Sequence, residues 1–106
     1  MKKQNNVDYR VLFKASTKLL DIRVKMEFGE NFTARISSSQ FFQNRLRLSS
    51  ETSYMRELVY VKSKSRIDAT TIERLKEFIL EDLNLILRIV DVYSFQPIQE
   101  VKLHFV

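Results

Sequence analysis

The chain has 106 residues, 44% of them hydrophobic and 29% charged, which is typical of one globular domain (residues 1–106) and not of a disordered chain. It has no cysteine and only one glycine, which excludes disulfide scaffolds, zinc fingers, cysteine nucleophiles and glycine-rich phosphate loops. The net charge is +5, no apolar run exceeds four residues, and no secretory signal is visible, so we expect a cytoplasmic protein that does not enter membranes.

The first segment allows two interpretations. Val7, Tyr9, Val11 and Phe13 occupy every second position, which favours a β-strand. A helix through Tyr9–Leu20 is the competing interpretation, and the pattern leaves both open.

The next segment predicts a β-hairpin. Asp21–Phe28 alternates strictly between polar and apolar residues, Phe32–Ser37 does the same, and Gly29–Asn31 lies between them. A three-residue loop keeps the apolar side chains on one face, which a two-residue loop would not do. The register would then pair Phe28 with Phe32, Met26 with Ala34, and Val24 with Ile36.

The middle of the chain is less clear. Residues 42–49 alternate in a way that favours a strand, although Ser39 could instead begin a short helix. Leu58–Lys62 is rich in β-branched and aromatic residues and predicts a strand.

A long helix is predicted from Thr70 to about Val90. Thr70 and Glu73 have the spacing of a capping box, and Asp68 is an alternative cap. The apolar stripe continues along the whole segment and we expect its centre to be buried. That centre consists of Leu75, Ile79, Leu83 and Ile86.

Val101, Leu103 and Phe105 alternate with polar residues and predict a last strand. Together these elements predict an α+β fold, an antiparallel β-sheet with one long α-helix of the C-terminal half packed on one face.

No catalytic arrangement is expected, and neither a cofactor nor a metal. His104 is the only histidine and lies on the polar face of the last strand, where a surface role is expected. Asp91, Glu100 and Lys102 match the loose pattern of metal-dependent nucleases, but that pattern is short and frequent by chance.

The distribution of charge indicates an anionic partner. Residues 1–68 contain 14 Lys and Arg and 7 Asp and Glu, which gives a net charge of +7. Residues 69–106 contain 4 Lys and Arg and 6 Asp and Glu, which gives a net charge of −2. Lys and Arg attract phosphates, and Tyr can stack on unpaired bases. The candidate nucleic-acid-binding residues are Arg23, Lys25, Arg35, Arg45, Arg47, Tyr60, Lys62, Lys64 and Arg66.

These residues predict a small, basic, nucleic-acid-binding accessory or regulatory protein that acts mainly through phosphate contacts, without distinguishing DNA from RNA. The alternative is a non-enzymatic assembly, adaptor or inhibitor protein. It would use the apolar face of the long helix, either for a homodimer or for a protein partner.

The succession of antiparallel strands followed by a long helix resembles several folds that bind single strands or RNA. Within it, Leu58–Phe78, a strand followed by a basic turn and a helix, resembles the small Alu-domain proteins of the signal recognition particle. That resemblance covers a fifth of the chain and rests on the order of the elements, so it assigns no role to any residue.

Overall fold

The architecture is α+β. A computed structural model describes residues 8–39, 41, 56–90 and 97–106, and the predictions for residues 42–49 lie outside these ranges. The described residues include two long helices and three strands, which follow one another as α1, β1, β2, α2 and β3. Ser38, Ser39 and Phe41 are also helical, as the alternative interpretation at Ser39 predicted. Their bounds are Tyr9–Phe28 for α1, Phe32–Ile36 for β1, Arg56–Ser63 for β2, Ala69–Val90 for α2 and Glu100–Phe105 for β3.

Helix α1 stands where the sequence predicted an early strand and the first arm of a hairpin, so both of those predictions are wrong. Ser16, Leu20 and Val24 are buried at intervals of four residues, which is helical spacing. Ile22 and Met26, which the predicted strand would have placed on its inner face, are 43% and 75% exposed. The competing helix is confirmed, and it continues eight residues beyond Leu20.

Each end of α1 has an identifiable cap. The side chain of Asp8 accepts a hydrogen bond from the backbone N–H of Arg10, so Asp8 is the N-cap. Gly29 follows the last turn with φ = 118°, a region that side chains other than glycine rarely adopt, and its N–H donates to the carbonyl of Lys25. The only glycine of the chain therefore ends the helix.

Helix α2 confirms the predicted long helix, and Asp68 caps it. The carboxylate of Asp68 accepts a hydrogen bond from the backbone N–H of Thr71 at 2.8 Å. This bond lowers the pKa of Asp68, with smaller contributions from the Thr71 side chain and the charge of Arg74. The alternative cap is thus the one that the fold uses.

The sheet is mixed, so the predicted antiparallel sheet is wrong in part. β1 pairs antiparallel with β2, whereas β3 pairs parallel with β2, and the strand order is β1-β2-β3. The reason is that α2 connects β2 to β3. A strand–helix–strand connection carries the chain back to the starting edge, so the second strand runs in the direction of the first.

The core includes both helices and one face of the sheet, where the sequence predicted a single covering helix. Leu75, Ile79, Leu83 and Ile86 are at most 5% exposed, which confirms the predicted centre of the α2 stripe. The remaining buried apolar side chains of α1 and the strands join them in one cluster: Leu20, Val24, Ala34, Ile36, Val59 and Val61. Within the described ranges, neither helix is long and apolar enough to cross a membrane.

Polar side chains of α1 line the outer edge of β1. Thr17, Asp21 and Lys25 are four residues apart and project along one side of the helix. The Thr17 hydroxyl accepts a hydrogen bond from the N–H of Ile36 at 3.0 Å, and the Asp21 carboxylate accepts one from the N–H of Ala34 at 2.9 Å. The Lys25 ammonium donates to the carbonyl of Phe32 at 2.7 Å. The helix therefore supplies the hydrogen bonds that another strand would have supplied.

Candidate functional site

The face of the sheet opposite the core carries most of the polar strand residues, and we call it the outer face. Successive side chains of a strand point to opposite faces of the sheet. Ala34, Ile36, Val59 and Val61 point into the core, so the residues next to them along each strand belong to the outer face. The described residues of the outer face are Thr33, Arg35, Leu58, Tyr60, Lys62, Glu100, Lys102 and His104.

A continuous row of three side chains crosses the middle of the outer face. Arg35 of β1, Tyr60 of β2 and His104 of β3 are direct neighbours in the register of the sheet. The guanidinium carbon of Arg35 lies 5.1 Å from the centre of the Tyr60 ring. The His104 ring lies 5.2 Å from the same ring, at an interplanar angle of 81°. A cation–π contact and an edge-to-face contact thus hold the phenol between two nitrogen-containing groups.

Two lysines extend this row along the strands. Lys62 is two residues beyond Tyr60 on β2, and Lys102 is two residues before His104 on β3, so both project from the same face. Both side chains are exposed. Glu100 adds one carboxylate to this face. The described part of the outer face is therefore basic, with aromatic rings at its centre.

The structure places the sequence-predicted residues in different parts of the molecule. Arg35, Tyr60 and Lys62 share the outer face, as described above. Lys64 and Arg66 are exposed in the loop between β2 and α2, beyond the end of the β2 strand.

Arg23 lies between the two helices and does not face the sheet surface. Its guanidinium donates two hydrogen bonds to the carboxylate of Asp82 on α2, at 2.8 and 3.1 Å. The hydrogen bond and the negative charge of Asp82 both raise the pKa of Arg23. Because the Asp82 side chain is only 7% exposed, Arg23 is needed to neutralise a buried carboxylate.

Lys25 is also engaged within the fold. Its ammonium group lies 2.7 Å from the carbonyl oxygen of Phe32, 3.1 Å from a carboxylate oxygen of Asp21 and 3.2 Å from the hydroxyl of Thr33. These three acceptors match the three donors of an ammonium group. The predicted hairpin would have placed Arg23, Lys25 and Arg35 on one polar face, and this grouping is not formed because α1 replaces the first arm of the hairpin. Arg45, Arg47 and Asp91 lie outside the described residues.

Sequence reasoning missed Lys102 and His104 as members of the site. The alternation of the last strand puts both residues on its polar face, but it does not identify the neighbouring strand. The order strand, long helix, strand is the signal that would have found it, since such a connection favours parallel pairing of β2 with β3. That pairing brings His104 beside Tyr60.

No family model, curated protein or solved structure matches this chain. The resemblance of Leu58–Phe78 to a known family therefore remains a likeness in the order of elements.

Proposed function

We propose that this protein is a small, non-enzymatic nucleic-acid-binding protein, and that the outer face of its sheet is the binding surface. The observation that carries the proposal is the row of Arg35, Tyr60 and His104, with Lys62 and Lys102 on the same face. Lysine and arginine bind phosphates without regard to sequence, and the rings supply surfaces for bases.

The rings favour a single strand over a duplex. Bases stack on tyrosine and histidine rings and on guanidinium planes only when they are unstacked from their neighbours. In a duplex those faces are already occupied, and only the phosphates remain available to the lysines. We therefore expect tighter binding of single-stranded RNA or DNA than of a duplex of the same sequence.

The long-helix alternative has less support. The apolar arc of α2 that would form a docking face is largely buried in the core, where Leu75, Ile79 and Leu83 are fully inaccessible. Within the described part of α2, Leu85 and Ile89 are the large apolar side chains that remain exposed, at 50% and 66%. Two residues form a small patch in comparison with a helical interface.

Fluorescence anisotropy with labelled oligonucleotides tests the proposal. The panel is a single-stranded RNA, the DNA of the same sequence and both duplexes, each titrated at several salt concentrations. We expect single strands to bind more tightly, with an affinity that falls linearly on a log–log plot against salt. Absence of binding at low salt would disprove the proposal.

Two variants of one residue test the role of stacking. Tyr60→Phe retains the ring and should bind like the wild type. Tyr60→Leu retains similar bulk without the ring, and the loss of one stacked base should weaken binding by about 5- to 100-fold. Equal binding by Tyr60→Leu would place the binding surface elsewhere.

A further inference from the structure

Helix α1 carries a second apolar stripe, which faces away from the core. Its large members are 39% to 75% exposed, although apolar side chains of this size are usually buried. The stripe consists of Val11, Ala15, Leu19, Ile22 and Met26. Successive members are three or four residues apart, so all five fall within an arc of about 80° at 100° per residue. The buried residues Ser16, Leu20 and Val24 lie on a different side of the helix.

The shape of this stripe fits one helix laid along it. It extends over about 22 Å at 1.5 Å per residue, and its narrow arc is that of a coiled-coil seam. Ala15 interrupts the larger side chains and leaves space for a side chain of a partner. A broader arc would be needed to embed α1 in a lipid surface.

Lysines lie along one edge of the stripe. Lys18 is within about 20° of that edge, and Lys14 lies one turn before Lys18 on the same side. Arg23 lies near the opposite edge, but it is bound to the buried Asp82. Lys14 and Lys18 are exposed and make no hydrogen bond or ion pair with any other described residue. The acids of α1 lie farther round the helix, and Asp21 is already bound to Lys25.

We propose that this stripe docks an amphipathic helix of an acidic partner protein. The apolar residues of the stripe would pack against the apolar face of that helix, and the flanking lysines would form ion pairs with its Glu or Asp side chains. A second copy of this chain fits less well. An antiparallel pairing about Leu19 would place Lys18 close to Lys18 of the other copy, with like charges facing each other. The stripe lies on the helical layer, so it is separate from the outer face of the sheet.

The test uses two synthetic peptides. Both have leucine on one helical face, and the residues beside that face are glutamate in one peptide and lysine in the other. Binding of each labelled peptide to the full chain is followed by fluorescence anisotropy. We expect the glutamate peptide to bind and the lysine peptide to bind at least about tenfold more weakly, a difference of about 1.4 kcal/mol.

Matched variants locate the peptide on the protein. Ile22→Asp should weaken binding of the glutamate peptide by about tenfold or more, whereas Leu85→Asp, at a site of similar exposure on α2, should change it less than about twofold. Arg35→Gln, on the outer face of the sheet, should leave binding of the glutamate peptide unchanged. Circular dichroism of each variant establishes that the fold is retained.

Several results would overturn the proposal. These are no binding at about millimolar peptide, equal binding of the two peptides, and equal losses for Ile22→Asp and Leu85→Asp. A dimer of the wild-type chain, seen by light scattering and abolished by Ile22→Asp, would assign the stripe to a second copy. Binding of anionic vesicles that requires Ile22, without peptide binding, would assign it to a membrane surface.

Discussion

The carboxylate of Asp21 accepts a hydrogen bond from the backbone N–H of Ala34 at 2.9 Å, which joins the middle of α1 to the edge of β1. An unpaired strand edge is a site for association with other chains. Asp21 closes this edge together with Thr17 and Lys25, which bind the backbone groups on either side. Residues 21–28 therefore lie beside β1, as the predicted hairpin required, but they do so as a helix.

We expect Asp21→Ala to destabilise the protein by about 1–2 kcal/mol, because the Ala34 N–H loses its partner and the Lys25 ammonium loses one acceptor. Asp21→Asn keeps an acceptor oxygen for the Ala34 N–H and should therefore lose less stability than Asp21→Ala. Urea unfolding followed by circular dichroism measures both free energies of unfolding. The exposed edge should also make Asp21→Ala more prone to aggregation. Equal stability of Asp21→Ala and the wild type would contradict the structural role of this bond.

Truncation within the α2 stripe tests the core. Leu83 is fully buried, so Leu83→Ala should cost about 2–5 kcal/mol through lost burial and the cavity that remains. Leu85 is two residues away and 50% exposed, so Leu85→Ala is the matched control and should change stability by less than about 1 kcal/mol. Similar losses for the two variants, measured by urea unfolding, would show that the burial pattern of α2 is wrong.

The cap of α2 predicts a dependence of stability on pH. The pKa of Asp68 is lower in the folded chain than in the unfolded chain, so the unfolded state binds more protons as the medium becomes acidic. Its contribution to stability is therefore fully present above the ordinary aspartate pKa of about 4 and is lost as pH falls through the folded value.

Asp68→Asn isolates this contribution, because asparagine is also a good N-cap and does not titrate. We expect the melting temperature of the wild type to fall more steeply than that of Asp68→Asn between about pH 5 and pH 3. Thermal unfolding across this range is the measurement. Parallel curves for the two proteins would show that the Asp68 carboxylate has no special role in the fold.

The type of an element could be predicted correctly where its apolar residues follow one period only, either that of a helix or that of a strand. In α2, Leu75, Ile79 and Leu83 follow only the helical period, and the prediction was confirmed. In residues 21–28 two periods coincide. Val24 fits both a strand and a helix, and the exposed Ile22 and Met26 complete the alternation of a strand although they belong to the outward stripe of α1.

The outer face was predictable in part. The side-chain chemistry of Arg35, Tyr60 and Lys62 suits phosphates and bases, and all three belong to segments that form strands. Lys102 and His104 required the parallel pairing of β3 with β2, which depends on contacts between residues more than forty positions apart. Arg23 was assigned to a solvated face because its partner, the buried Asp82, is 59 residues away. Periodicity within a short window contains no information about either contact.

Two triple variants separate folding from binding. On the predicted hairpin, Arg23, Lys25 and Arg35 would all lie on an exposed polar face, and replacing them together by Gln would leave the fold intact. The structure leads to a different result: this variant should lose stability, because it leaves the buried Asp82 carboxylate without its cation and removes the Lys25 ammonium from Phe32 and Asp21. A lower urea midpoint than that of the wild type is the expected observation.

The second variant replaces Arg35, Lys62 and Lys102 by Gln. In the described part of the chain none of these three makes an ion pair, so the urea midpoint should remain close to that of the wild type. Nucleic-acid binding should weaken, and the slope of log affinity against log salt should flatten by about 2–3 units, since each lost phosphate contact releases about one counterion fewer. A stable variant with an unchanged slope would exclude the outer face and direct attention to Lys64 and Arg66.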